Sequence, residues 1–261
     1  KQTLATRRGL LASPRLQQAR SSVLAESCGR MRLRAVALAV SVWCGEAVPF
    51  WFGSGCFWGR QHDFIDFEQR ILLRNNGNLT AAAAYAGGTE ASELCYGGER
   101  SYTENGAAEV VVLDLEADDF AGAATVYFES FVALSGSEPP IYARADYADA
   151  GAQYRATVGL PGGLEGAFGA QLRAANFRNM TLVAGKGGDA DTLGSGAVWV
   201  LDSEMFAAVQ AEVCLQFHDE QGRPPYEAAY GALAKALLES GRLVETKCPQ
   251  NAVCAEDAPR R

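Results

Sequence analysis

Cys56 is the residue best placed to do chemistry, in the segment Gly53-Ser-Gly-Cys56-Phe57-Trp58-Gly59. The apolar run from Val48 precedes it, and apolar side chains at helical spacing follow it, so the thiol falls where a strand ends and a helix begins. Helix N-terminal amides stabilise a thiolate, and flanking glycines let a substrate approach the sulfur. The segment therefore predicts a reactive thiol with a lowered pKa. Composition alone leaves a buried cysteine in a glycine-rich turn as the alternative.

Strands and helices that would position this thiol alternate along the rest of the chain. Apolar runs bounded by turn residues predict strands, and apolar side chains at a spacing of three and four predict helices. The predicted strands are 48–53, 79–86, 108–115, 153–160 and 197–201, and the predicted helices are 57–73, 118–134, 163–176, 202–218 and 225–240. No regular strand-helix-strand repeat is visible. We therefore expect an α+β fold, a two-layer sandwich with a central mixed sheet and flanking helices.

Composition and charge exclude several classes of function. The 261 residues are 48% hydrophobic, enough to bury a core. Residues 35–261 hold 30 acidic residues against 15 basic ones, which is unfavourable for binding phosphate backbones, so we expect no nucleic-acid partner. With two histidines, His62 and His218, and no Cys-x-x-Cys pair, we also expect no metal site of the ordinary zinc type.

The first 47 residues are typical of a targeting presequence. Arginines and few acids precede a short basic stretch, Met31 to Arg34, an apolar run from Ala35 to Trp43, and small residues at Gly45 and Ala47. This order predicts a secretory signal peptide, with an organelle presequence of plastid type as the alternative. The apolar run is too short for a membrane span. Residues 48–261 are then expected to form a single domain with a mobile, cysteine-containing tail over about 244–261.

Five segments resemble, in the same order, the signatures of the A-type peptide-methionine sulfoxide reductases. They are Gly55-Cys-Phe-Trp-Gly59, Tyr85-Ala-Gly-Gly88, Glu93-Leu-Cys-Tyr96, Ala108-Glu-Val-Val111 and Asp149-Ala-Gly-Ala-Gln-Tyr-Arg155. The resemblance implies that family's ferredoxin-like fold. The implied activity is thiol-dependent reduction of methionine (S)-S-oxide, free or in proteins, for protein repair and defence against oxidative stress. The chain departs from the pattern at Ala107 and at Cys214-Leu215, and its loop from Gly88 to Glu93 is short.

The resemblance also implies a role for each matched residue. Cys56 is the nucleophile. Glu93 matches the general acid, which an apolar pocket would keep protonated at neutral pH. Tyr85 and Tyr154 match hydroxyl groups that hydrogen-bond the sulfoxide oxygen. The residues expected to orient the site and hold the S-methyl group are Asp149, Phe57 and Trp58.

Two cysteines near the C-terminus are candidates for recycling the enzyme. Attack by Cys56 leaves a sulfenic acid, and the polar tail around Cys248 and Cys254 could bring a second thiol to it. Cys95 and Cys214 are expected to be packing residues. No bound cofactor is implied; thioredoxin or another dithiol would reduce the disulfide of a monomeric enzyme.

Two other classes of protein stay open at this point. One is a non-catalytic module that binds sulfoxides or peptides on the same fold, suggested by the altered segment at Cys214. The other is a secreted structural protein whose cysteines are mostly bridged.

Overall fold

The computed structural model describes residues 48–89, 93–145, 147–218 and 226–249. Nine strands lie in these residues: β1 (Val48–Gly53), β2 (Ala82–Ala86), β3 (Ala108–Leu115), β4 (Phe131–Ala133), β5 (Tyr142–Arg144), β6 (Thr157–Leu160), β7 (Thr181–Ala184), β8 (Ala197–Asp202) and β9 (Val209–Gln210). The helices there are α1 (Phe57–Arg70), α2 (Phe120–Glu129), α3 (Gly169–Ala175), α4 (Ala228–Gly231) and α5 (Leu233–Glu239).

Seven of the strands form one mixed sheet in the order β7-β8-β6-β1-β3-β2-β9. The central strand β1 runs antiparallel to β3, with Phe50 opposite Leu113, and antiparallel to β6, with Phe52 opposite Val158. Strands β6, β8 and β7 run parallel to one another. Strands β4 and β5 pair separately. The predicted α+β class with a central mixed sheet is confirmed.

The two faces of the sheet are covered differently, as the alternation of β1 requires. Phe50 and Phe52 point into the large core shared with the helices, and both rings pack against Phe120 of α2. Trp51 points to the other face, where its indole N–H donates to the Phe206 carbonyl at 3.0 Å. A Cβ at Gly159 would lie 1.9 Å from the Trp51 ring, so only glycine fits there. The helices therefore form one layer and the sheet the other.

The prediction of a helix over 202–218 is wrong. β8 extends to Asp202, β9 follows, and Val213–Leu215 is a single 3-10 turn. The Gln216 side chain makes hydrogen bonds to the β2 backbone of the kind that a neighbouring strand would make. Its Oε1 accepts from the Ala83 amide at 2.8 Å, and its Nε2 donates to the Ala83 carbonyl at 2.9 Å. These bonds hold the segment along β2 and stop it from coiling.

Other boundaries shift for local reasons. The helix predicted over 118–134 ends at Glu129, because Phe131–Ala133 pairs with Tyr142–Arg144. The strands β4, β5, β7 and β9 were not predicted. No helix in the described ranges is both long and apolar enough to cross a membrane. The predicted presequence, 1–47, and Cys254 lie outside the described residues.

Candidate active site

Cys56 is the residue immediately before α1, as the sequence predicted. Its backbone is extended, with φ −60° and ψ 133°, and Gly55 before it has φ +76°, which favours glycine. The Cys56 amide donates to Asp149 Oδ2 at 3.0 Å, and the Phe57 amide donates to Glu109 Oε2 at 2.9 Å. Two carboxylates therefore occupy amides that begin the helix and would otherwise lack partners.

Glu109 supplies the buried acid of this site. It is the second residue of β3 with only 2% of its surface exposed, and its Oε1 accepts from the Tyr102 hydroxyl at 2.9 Å. Burial raises the pKa of Glu109 to about 7, against the opposing effect of the Phe57 amide and the Tyr102 hydroxyl. The carboxyl group also interacts with the Cys56 side chain, and this interaction lowers the pKa of Glu109. A protonated acid and a thiol therefore meet at the start of α1 near neutral pH.

The pKa of the Cys56 thiol is shifted in the direction opposite to the prediction. Burial and the neighbouring charges of Glu109 and Asp149 raise its pKa well above the usual value, although the Trp58 amide donates to the sulfur. The expected lowering by the helix N-terminus is wrong, because the first amides are already bound to carboxylates. Cys56 rests as a thiol, and its proton must leave when it attacks.

Two half-buried tyrosines face the same space. Burial, with Glu109 as the next cause, raises the pKa of Tyr154 and of Tyr96, and both also interact with the charge of Cys56. Both therefore remain hydroxyl donors at neutral pH. Tyr154 was predicted as such a donor from the sequence, whereas Tyr96 was missed.

Tyr85 lies deeper than its predicted role requires. The residue is fully buried, its hydroxyl donates to Glu212 Oε2 at 2.9 Å, and its ring stacks on Tyr102 at 4.4 Å. The Tyr85 hydroxyl is therefore bound inside the protein and does not face an open space.

Glu93 lies on the surface and not in an apolar pocket. Its side chain is 60% exposed and forms ion pairs with Arg100 and with Lys247. The prediction that burial keeps Glu93 protonated is wrong for this reason. Glu109, inside the quoted segment Ala108-Glu-Val-Val111, occupies the environment predicted for Glu93. A carboxylate next to the apolar run 110–113 of the predicted strand was the signal that could have identified it.

Asp149 is held by a buried ion pair that the sequence reading did not include. Arg144 donates from Nε to the Asp149 carbonyl at 2.7 Å and forms a two-point pair with Asp191 at 2.8 and 3.1 Å. Asp191 also accepts from the Gly151 amide at 2.8 Å. These bonds fix the loop that presents Asp149 to Cys56, and they support its predicted orienting position.

Phe57 and Trp58 form an apolar side of the site. Phe57 is buried and packs against Trp58 and Tyr85 with ring centroids 6.1 and 6.0 Å apart. The Trp58 ring is partly exposed, and its N–H donates to the Leu215 carbonyl at 2.7 Å. His218 stacks on the same indole at 3.9 Å. The predicted pair thus includes one partly open ring that a methyl group could contact.

Among the cysteines that the structure describes, one is a thiol and three are disulfide-bonded. Cys56 is free, whereas Cys95 and Cys248 form a disulfide across 153 residues of sequence separation. Cys214 is also disulfide-bonded. The prediction that Cys95 and Cys214 are only packing residues is therefore wrong.

Comparisons with known proteins give likenesses of structure only. The chain is similar to methionine sulfoxide reductase A of Corynebacterium diphtheriae, at 16% identity over 72% of this chain and 80% of that one, with a TM-score of 0.43. It is also similar to reduced Mxr1 from Saccharomyces cerevisiae, at 16% identity over 71% and 91% of the two chains, with a TM-score of 0.42. No family model and no curated protein matches the chain.

Proposed function

We propose that this protein is a thiol-dependent reductase of methionine sulfoxide. The observation that carries the proposal is the buried acid Glu109, whose pKa is about 7 and whose Oε2 accepts from the amide of Phe57, the residue next to the free thiol Cys56. Sulfoxide reduction needs a soft nucleophile for sulfur and a proton for the departing oxygen. The site provides both within one partly open pocket, and the ordered sequence signatures name the substrate.

In the proposed reaction the Cys56 sulfur attacks the sulfoxide sulfur while Glu109 donates its proton to the oxygen. The thiol proton of Cys56 passes to the Glu109 carboxylate, so the acid ends the step protonated. The sulfoxide gains two electrons and becomes a thioether. Its oxygen transfers to Cys56 as the bond between the Cys56 sulfur and the substrate sulfur breaks, which leaves a sulfenic acid on Cys56. In this scheme the hydroxyls of Tyr154 and Tyr96 stabilise negative charge on the oxygen as it develops.

The finer assignments rest on the resemblance. They are the S epimer, methionine sulfoxide in proteins as well as free, thioredoxin as the reductant and a repair role. The secretory or organellar location rests instead on the composition of residues 1–47. Cys248 is retained as the thiol that meets the Cys56 sulfenic acid, with Cys254 as the alternative. Asp149 is a positioning residue in this scheme, because its carboxylate binds the Cys56 amide.

The test compares two carboxylates in one assay. The reduced protein is mixed with the separate S and R epimers of methionine sulfoxide, and methionine is counted in a single turnover. The wild-type protein and Glu93→Gln are expected to reduce the S epimer, whereas Glu109→Gln is slowed by about 100-fold, the scale for losing a positioned general acid. Equal rates for the two variants would remove Glu109 from the acid role.

The same assay distinguishes the reductase from a non-catalytic binding module. A binding module would retain the S epimer without forming methionine and without losing thiols. Methionine formation that depends on Cys56 supports the reductase.

A further inference from the structure

The Cys95–Cys248 disulfide joins a loop beside the catalytic pocket to the C-terminal segment, while Cys56 remains a free thiol. One disulfide beside a free nucleophilic thiol is the state expected after two thiols have been oxidised to a disulfide and the nucleophile has been regenerated. From it we infer that Cys95 is a second recycling cysteine, which takes the disulfide from Cys56–Cys248 and leaves Cys56 ready for another sulfoxide. The inference rests on the proposed function and names how its site is recycled.

Cys95 lies close to the pocket through its chain neighbour. Tyr96 follows it directly and packs against Tyr102 with ring centroids 5.8 Å apart, and the Tyr102 hydroxyl donates to Glu109 at 2.9 Å. The Tyr96 amide donates to Glu212 Oε1 at 2.9 Å, and the other Glu212 oxygen accepts from Tyr85 below the pocket. A Glu212 oxygen and the sulfurs of Cys95 and Cys248 lie within 4.8 Å of one another. The disulfide is therefore tied to the residues that surround Cys56.

The C-terminal segment has its own noncovalent contacts with the same loop. Arg100 donates to the Lys247 carbonyl at 2.8 Å, and Lys247 pairs with Glu93 at 3.7 Å. Cys248 itself lies 3.4 Å from the Leu94 carbonyl. These contacts would hold residues 247 and 248 beside Cys95 before any bond forms, which raises the effective concentration of one thiol at the other.

The two cysteines of the disulfide differ in exposure, and an external reductant needs one of them to be accessible. Cys95 is fully buried, whereas Cys248 is partly exposed. An external dithiol can therefore attack Cys248 and release Cys95 as the leaving thiol. A disulfide between Cys56 and Cys248 would instead place one sulfur at the start of α1, inside the pocket.

Recycling passes through two successive disulfides before the external reductant acts. The Cys248 thiol attacks the Cys56 sulfenic acid, forming a Cys56–Cys248 bond and releasing water. The Cys95 thiol then attacks the Cys248 sulfur, forming Cys95–Cys248, and Cys56 leaves with the proton that Cys95 loses. A dithiol reductant finally returns two electrons and two protons to Cys95 and Cys248 while becoming a disulfide itself.

The experiment counts methionine in the absence of external reductant. The full-length protein is reduced, freed of reductant under anaerobic conditions and mixed with excess S-epimer methionine sulfoxide. The wild-type protein is expected to form two methionines per chain, ending with a Cys95–Cys248 disulfide and a sulfenic acid on Cys56. Cys95→Ser is expected to stop at one, with Cys56–Cys248 trapped, and Cys248→Ser is expected to stop at one with the sulfenic acid retained.

Two controls separate recycling from a merely structural bridge. Cys214→Ser removes another bridged cysteine and is expected to keep the count at two. Cys56→Ser, given the same sulfoxide, is expected to leave Cys95 and Cys248 as thiols, as shown by alkylation and peptide mapping. This second control does not depend on whether Cys95→Ser folds, and Cys95→Ala is a further check on it.

The outcomes are distinct. A wild-type count of one with Cys56–Cys248 trapped, or a Cys95–Cys248 bond that forms without Cys56, overturns the recycling role of Cys95 while the reductase stands. No methionine from the wild-type protein overturns the proposed function itself. A count of two that falls to one in Cys95→Ser supports the inference.

Discussion

Two acidic residues from neighbouring segments, Glu109 and Glu93, occupy opposite environments. Glu109 belongs to the pocket floor, which consists of Cys56, Glu109 and Asp149 around the start of α1, and it is 2% exposed. Glu93 belongs to the rim loop, residues 93–106, and its side chain is 60% exposed and paired with two cations. Glu109 lies on strand β3 of the sheet, whereas Glu93 lies on a loop. The comparison shows that burial on a rigid strand, and not position beside a motif, makes a carboxyl group a suitable acid.

The largest effect is expected from changing the one free thiol of the floor. Cys56→Ser should remove turnover while the fold persists, because a hydroxyl is a far weaker nucleophile at neutral pH and is similar in size. Methionine formation with the reduced protein, alongside a thermal unfolding curve, checks both statements. Substantial turnover by a folded variant would show that another group attacks the sulfoxide.

The ion pairs of the two regions should differ in their contribution to stability. Arg144→Ala leaves Asp191 without its buried partner and should lower the free energy of unfolding by about 3 kcal/mol. Arg100→Ala breaks an exposed pair with Glu93 and should cost less than about 1 kcal/mol. Urea unfolding of both variants measures the difference, and equal losses would mean that the floor gains no special support from Arg144.

Removing the carboxylate of Glu109 or of Glu93 should change the single-turnover rate by different amounts. Glu109→Gln is expected to lower the single-turnover rate by about 100-fold, whereas Glu93→Gln changes it by less than about threefold, since the Glu93 side chain is exposed and paired with two surface cations. Rapid-quench measurement of methionine provides both rates. The account fails if Glu93→Gln is the slower variant.

A further effect on the rate is expected from a change of pH. Burial raises the pKa of Glu109 to about 7, so its acid form is present below that pH and is lost as the pH rises through it. The single-turnover rate should fall by up to tenfold per unit on the alkaline side. Glu109→Gln should lack this decline, and a wild-type rate that stays flat from pH 6 to 9 contradicts the assignment.

The sequence predicted those parts of the molecule that local patterns determine. The bounds of β1 and β3 and the start of α1 match the apolar periodicity, and Cys56 is where the strand-turn-helix pattern placed it. Strand β9 and the 3-10 turn after it were missed because the side chain of Gln216 bonds to β2 from far along the chain.

Side-chain partners were the less predictable part of the candidate site. The Cys95–Cys248 bridge joins residues 153 positions apart, and the Arg144–Asp191 pair depends on how two loops meet. The Cys56 pKa was predicted in the wrong direction because the carboxylates that occupy the first amides of α1 come from other elements. Sequence reasoning could have identified Glu109, since burying a charged residue in an apolar strand costs free energy unless the charge is paired.

The most direct test of the central claim is the ionisation of Glu109 itself. Carbon-13 NMR of protein labelled at the glutamate side-chain carboxyl carbon, compared with Glu109→Gln to assign the resonance, follows this group as the pH changes. The account predicts a Glu109 carboxyl group that is protonated at pH 6 and titrates near pH 7 in the reduced protein. A Glu109 resonance that is already fully ionised at pH 6 would contradict it.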